Sequence, residues 1–180
     1  PYFSIWSRTD RLSDSFTCHW TGTGQTIAGL LRIDGKAFCF LSNIPGAPKI
    51  NQTAVRVLPT RTIYTFEEAG VRFTLTFLTP ALLHKLHVLS RPITYLCFDA
   101  ESIDGKTHDL AVYFDADGAI AVNEPTDKIT WSRFRHRDLD LICAASAEQK
   151  ILSRAGDNLR IDWGYLYLGV PLKFNPATAL

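Results

Sequence analysis

The chain has 180 residues, enough for one domain that buries roughly 70% of the surface its unfolded form exposes. With 46% hydrophobic and 12% aromatic residues, core material is plentiful and disorder is not expected. A net charge of +1 argues against nucleic acid or an anionic membrane as the main partner, and no apolar run approaches the ~20 residues of a membrane-spanning helix.

In chain order, Pro1 to Gly24 is aromatic and irregular, with Tyr2, Phe3, Trp6, Phe16 and Trp20 set among Ser, Thr and Asp. Thr26–Ile33 and Lys36–Leu41 then flank Asp34-Gly35, a pair that favours the type I′ turn of a β-hairpin. Leu41 to Thr53 holds Pro45, Gly46 and Pro48 and reads as a loop. Within it, Asn51-Gln52-Thr53 is a glycosylation sequon for a secreted eukaryotic protein.

Leu58 to Asn123 forms the organising stretch. In Gly70 to Phe77, Val71, Phe73, Leu75 and Phe77 alternate with Arg72, Thr74 and Thr76, the period-two pattern of a half-buried strand. Val57–Phe66 is expected to pair with it through a turn at Glu67-Glu68-Ala69-Gly70. Ile93–Ala100 and His108–Asp115 extend the meander, with turns at Asp104-Gly105 and Asp117-Gly118. Ala81–Ser90 is a helical turn or a loop. Lys128–Arg135 and Leu139–Ala145 read as strands, and Ala145–Leu152 as the stretch with helical content. Leu159–Val170 is expected to close the fold as one strand, with Leu159, Ile161, Trp163, Tyr165 and Tyr167 on one face.

Short strands in sequence, with no helix between them, predict an all-β chain: an antiparallel β-sandwich of two packed sheets with little helix. A barrel is the alternative. The sandwich is expected to occupy residues 1–170, with 171–180 as a linker. The start at Pro1 and the lack of Met are read as the mark of a mature or excised piece of a longer protein.

Candidate chemistry is thin. Cys18, Cys39, Cys97 and Cys143 form no zinc-like pair, and buried thiols are favoured over disulfides. His84 and His87 lack an evident third ligand, so no metal and no cofactor are expected. Arg133, Arg135, His136 and Arg137 form a basic cluster next to Asp138 and Asp140, which reads as a solvated strand end. Asp99, Glu101, Asp115 and Asp117 sit at strand ends, where carboxylates serve turns more often than acid–base work on a glycoside. There is no G-x-S-x-G elbow. Asp162-Trp163-Gly164-Tyr165 places an acid between aromatics and beside a glycine, suited to a cleft or an interface as well as to a core strand.

Several runs in order carry a family resemblance: Tyr2-Phe3-Ser4-Ile5-Trp6-Ser7, His19-Trp20-Thr21-Gly22, Pro59-Thr60-Arg61-Thr62-Ile63-Tyr64, Thr76-Phe77-Leu78-Thr79-Pro80, Ser90-Arg91-Pro92-Ile93-Thr94-Tyr95, Tyr113-Phe114-Asp115 and Asp162-Trp163-Gly164-Tyr165. The set resembles the amino-terminal part of the secreted glutaminase A family of fungi and some bacteria. That resemblance implies an N-terminal β-sandwich followed by a helical toroid, extracellular localisation, and hydrolysis of L-glutamine to L-glutamate and ammonia by the full-length protein. It implies that the partner of this segment is the C-terminal helical domain of the same protein, and that the segment itself is non-catalytic. No catalytic residue of the family transfers to these positions. His19, Trp20, Asp162, Trp163 and Tyr165 remain the candidates for a cleft or interface, and Asn51 for glycosylation. A second reading, a carbohydrate-binding β-sandwich, rests on the aromatic content, Trp6, Trp20, Trp131, Trp163 and six Tyr.

Overall fold

A computed structural model describes residues 4–180; Tyr2 and Phe3 of the first resembling run lie outside the described residues. Ten strands and three short helical turns alternate along them: β1 (Ile27–Ile33), β2 (Lys36–Leu41), β3 (Gln52–Leu58), β4 (Arg61–Glu68), β5 (Val71–Leu78), α1 (Leu86–Leu89), β6 (Tyr95–Ser102), β7 (Leu110–Ala116), a 3-10 turn at Gly118–Ala121, β8 (Ile129–His136), β9 (Leu139–Ser146), β10 (Leu166–Pro171) and a 3-10 turn at Leu172–Phe174. The all-β expectation holds. The strands form three sheets, ordered β2-β1-β7, β3-β4-β5-β6 and β10-β9-β8.

The chain divides into two compact units. The second comprises Thr9–Ser15 and Ala28–Phe114, and it is a sandwich built on phenylalanine. Phe40 of β2 and Phe114 of β7 come from one sheet; Phe66, Phe73 and Phe98 come from β4, β5 and β6 of the other. The Phe40 ring lies 5.1 Å from Phe73 and 6.1 Å from Phe66, and Phe73 stacks on Phe98 at 6.0 Å. Phe98 reaches Phe114 at 6.5 Å. Offset and tilted rings at these separations are the favoured geometries and add to the burial term. Val71, Phe73 and Leu75 are buried, as their alternation requires, while Arg72 faces out between Glu67 and Glu101.

Turn chemistry sets the registers. Asp34 and Gly35 both have positive φ, the type I′ geometry read from the sequence. Two expected elements shift. Val57–Phe66 is not one strand: Pro59-Thr60 is a two-residue turn with Thr60 at φ 69°, and Leu58 pairs with Arg61. Proline presets the turn and cannot donate to a central ladder. The next turn is Ala69-Gly70 alone, so Glu67 and Glu68 belong to β4 and face Arg72 and Val71.

At one end of this unit the His108 ring lies between two carboxylates. Nδ1 is 2.7 Å from Asp34 and Nε2 is 3.0 Å from Asp104, and the side chain is 7% exposed. Asp34 belongs to the β1–β2 turn and Asp104 to the β6–β7 connection, so one imidazole ring ties two turns. The hydrogen bonds to Asp34 and Asp104 raise the His108 pKa above its ordinary 6.5. In return Asp34 is lowered, chiefly by His108; Asp104 is lowered by the Lys106 backbone N–H first and His108 second. A raised histidine stabilises the fold fully below pH 6.5 and ceases to do so as pH rises through its folded value. The lowered carboxylates act above their unfolded value of 3.8 and fail as pH falls through their folded ones. The contribution of this cluster to stability is therefore expected to be greatest between roughly pH 4.5 and 6.5. Urea midpoints should show the deficit of His108→Asn shrinking from pH 5.5 to 9; a deficit independent of pH would mean that the ring is neutral.

The first unit comprises Pro1–Arg8, Phe16–Ile27 and Asp115–Leu180, and holds the β10-β9-β8 sheet. Here the expected closing strand is cut short. Only Leu166–Pro171 is strand, and 159–165 is irregular. Gly164 sits at φ 85°, and the Gln149 side chain brackets it: Gly164 N donates to Gln149 Oε1 at 2.7 Å, and Gln149 Nε2 donates to Gly164 O at 3.1 Å. The bracketing amide takes the place of a ladder partner. The helix expected in Ala145–Leu152 is also absent. β9 runs to Ser146, and Gln149 and Leu152 adopt positive φ, which a right-handed helix does not accommodate. Helix occurs instead at Leu86–Leu89, inside the segment read as a helical turn or a loop. In the expected linker, Thr178 donates to the buried Asp140 at 2.9 Å.

Candidate functional site

The residues that resisted assignment to strands converge in the first unit on Arg160. This arginine is 4% exposed. Its Nε donates to Asn123 O. Nη1 donates to Thr23 Oγ1 and to Asn158 Oδ1, each at 3.0 Å, and Nη2 to Glu124 Oε1 at 2.8 Å. Its backbone N–H donates to Asn123 Oδ1 at 3.0 Å. A planar fork with several fixed donors suits this task, and a lysine could not reproduce it.

The His19-Trp20-Thr21-Gly22-Thr23 loop leans on this hub through Thr23. It closes on itself: His19 N donates to Thr23 O at 2.8 Å and Gly22 N to His19 O at 2.9 Å, with Gly22 at φ 96°. The His19 ring is fully buried. Thr21 N and Thr21 Oγ1 both approach its Nδ1, at 3.3 and 2.9 Å. Both contacts tie the ring to the loop that carries Trp20. Trp20 turns outward and is 51% exposed.

Trp20, Thr21, Gly22 and Thr23 form one wall of an open concavity of about 430 Å³, and Asp157 and Asn158 form the other. Arg160 Nη1 holds both walls. Of the expected residues, Trp20 lines this concavity and His19 braces it from beneath. Asp162 and Trp163 border a separate crevice of about 10 Å³, room for no more than a water. There Asp162, 7% exposed, accepts from Arg154 Nε at 2.9 Å. Tyr165 lies elsewhere, 62% exposed and 6.2 Å from Tyr167, which meets Phe134 edge-on at 6.4 Å. The three form an exposed aromatic row on and beside the β10-β9-β8 sheet. Sequence reading passed over Arg160, Thr23 and Asn158. A single arginine between Leu159 and Ile161 carried no motif, and its one visible signal was a charge at an expected strand interior.

Several of the other candidates are engaged structurally. Arg133 of the basic cluster bonds Asp140 at 2.8 Å; that contact, with help from Thr178, holds the buried Asp140 carboxyl below its usual range. Glu101 pairs with Arg72, and Asp117 caps the Gly118–Ala121 turn by accepting from Ala119 N at 2.9 Å. His87 sits in α1 and its carbonyl accepts from Arg91 Nε at 3.0 Å. Among the described residues, no group of three or more His, Cys, Asp or Glu could hold a metal ion. The four cysteines are free, but Cys97 on the edge strand β6 is exposed, contrary to the buried thiol expected in an apolar run. An edge strand buries only what a neighbour covers.

Residues 60–179, 120 of 180, match the model of a domain of unknown function, DUF5127. The chain belongs to the DUF5127 family. Residues 1–55 match a second domain of unknown function, DUF4964. Thr23 lies in the DUF4964 match and Asn123, Glu124, Asn158 and Arg160 in the DUF5127 match, so the Arg160 network joins the two. The chain is also similar to glutaminase A of Aspergillus oryzae, 33% identical over 123 residues. The match covers 64% of this chain and 18% of that relative, so the chain spans a small part of its length. No solved structure matches with significance. Among the described residues, no helix is long and apolar enough to cross a membrane.

Proposed function

We propose that this DUF5127 chain is the amino-terminal accessory β-domain of a secreted glutaminase-like amidohydrolase, and that glutamine hydrolysis belongs to polypeptide beyond it. The observation that carries this reading is the similarity to a glutaminase A of which the match spans 18%. The fold is consistent with it: the buried polar groups around Arg160 are spent on holding loops. The Phe134–Tyr167–Tyr165 row offers the kind of exposed aromatic surface that a neighbouring domain covers, and we assign it to contact with a helical domain of the same protein. Asn51, exposed immediately before β3, is accessible for glycosylation on the secretory route. Ammonia release from L-glutamine, measured on the 180-residue chain and on the longer protein in parallel, is expected only from the latter. Turnover by the 180-residue chain comparable to that of the longer protein would overturn the assignment.

A further inference from the structure

We propose that the concavity between the Trp20 loop and Asp157-Asn158 is a binding site for a neutral carbohydrate, a function separate from glutamine hydrolysis. The shape and the chemistry agree. An open hollow of about 430 Å³ falls in the size range of small-ligand sites and admits one or two pyranose rings. Trp20, 51% exposed, supplies a flat apolar face at its edge, and the apolar face of a sugar ring packs on an indole while its hydroxyls stay available for polar partners.

The polar groups around that face are complementary in donor and acceptor sense. Thr23 Oγ1 accepts from Arg160, so its proton points away from the guanidinium and is available to a sugar oxygen. The Thr21 hydroxyl bonds His19 Nδ1 and in either direction of that bond keeps a lone pair that can accept. Asn158 Oδ1 is taken by Arg160, so what its side-chain amide still offers is its two N–H donors. Asp157 adds a carboxylate able to accept from two adjacent hydroxyls. Charge sets the ligand class. The guanidinium of Arg160 is buried and spent on protein acceptors; the Asp157 carboxylate lines the hollow, and the Arg8 guanidinium lies against Gly22, where a Cβ would meet its Nη2 at 2.6 Å, so the two opposite charges offset and neither sign of ligand is favoured. A single carboxylate is too few for a divalent cation. A neutral polyol that gives and takes hydrogen bonds fits what is left.

The site is also preorganised. One buried nitrogen, Arg160 Nη1, fixes Thr23 on one wall and Asn158 on the other, and His19 locks the loop that carries Trp20. Ordering costs are thus met before a ligand arrives.

Isothermal titration of the chain with cellohexaose, maltohexaose, mannohexaose and chitohexaose, each read also by tryptophan fluorescence, tests this. At least one sugar is expected to bind saturably. Trp20→Ala and Asp157→Ala should each weaken it by roughly tenfold or more, while Trp131→Ala, which removes an indole 63% exposed on β8, leaves it unchanged. Trp20→Phe, which keeps an aromatic face, should retain most of the affinity and guards against misfolding of the alanine variant. Absence of binding by all four sugars, or binding untouched by both alanine variants, overturns the proposal. Neither result bears on glutaminase activity, which is assayed separately.

Discussion

Arg160→Ala is expected to destabilise the chain by about 3 kcal/mol, the scale of removing one partner from a buried, hydrogen-bonded charge. For a chain of this size that corresponds to a fall in melting temperature of roughly 6–12 °C. The loss is more than one ion pair. Glu124 is half-exposed and rehydrates easily, so Glu124→Gln should cost no more than about 1 kcal/mol. The larger share comes from Asn123, 3% exposed: its carbonyl loses the Arg160 Nε donor at a depth where water does not replace it. Arg160→Lys should recover little, because one ammonium cannot reach Asn123, Thr23, Asn158 and Glu124 from a single position. Thermal melts of the three variants decide this. If Arg160→Lys melts with the parent, the fork geometry is irrelevant and only the charge matters.

Arg160 also marks where the sequence stopped being informative. Hairpins and alternating strands are local: Asp34-Gly35 dictates its turn by conformational preference, and Val71, Phe73 and Leu75 declare their face by spacing alone. The first unit is different. Thr23 and Arg160 are separated by 137 positions, and nothing in either neighbourhood names the other. The same holds for Gln149, whose side chain replaces the strand partner that Gly164 lacks. Leu159 to Tyr165 alternates well enough to read as a strand, yet buried polar bonds at Arg160 and Asp162 outweigh the pattern. His19-Trp20 and Asp162-Trp163 were recognisable as unusual residues. That Trp20 lines an open hollow and Asp162 a closed crevice depends on which loops Arg160 and Arg154 tie down.

A glycine in β1 provides the second large effect. An alanine normally stabilises a strand relative to glycine by roughly 0.5–1 kcal/mol, because the unfolded chain loses freedom. At Gly29 the sign is expected to reverse. A Cβ there would lie 2.3 Å from Cζ and 2.4 Å from Cε2 of Phe40. The cause is a bulge: Gly29 pairs with Leu41 and Leu30 with Cys39, so Phe40 is the extra residue on β2. This explains why Cys39, Phe40 and Leu41 are all buried where plain alternation would expose one of them. The bulge swings the Phe40 ring across the Gly29 backbone and into contact with Phe66 and Phe73. Gly29→Ala must therefore displace the ring at the centre of the sandwich, at a cost of about 2–3 kcal/mol. Phe40→Leu alone should cost about 1–2 kcal/mol through the space it vacates. That space is where the alanine methyl goes, so the double variant should be no less stable than Phe40→Leu, giving a coupling of about 2 kcal/mol in urea denaturation. Strictly additive losses would mean that the ring and the glycine do not meet, and that the bulge is not what places Phe40.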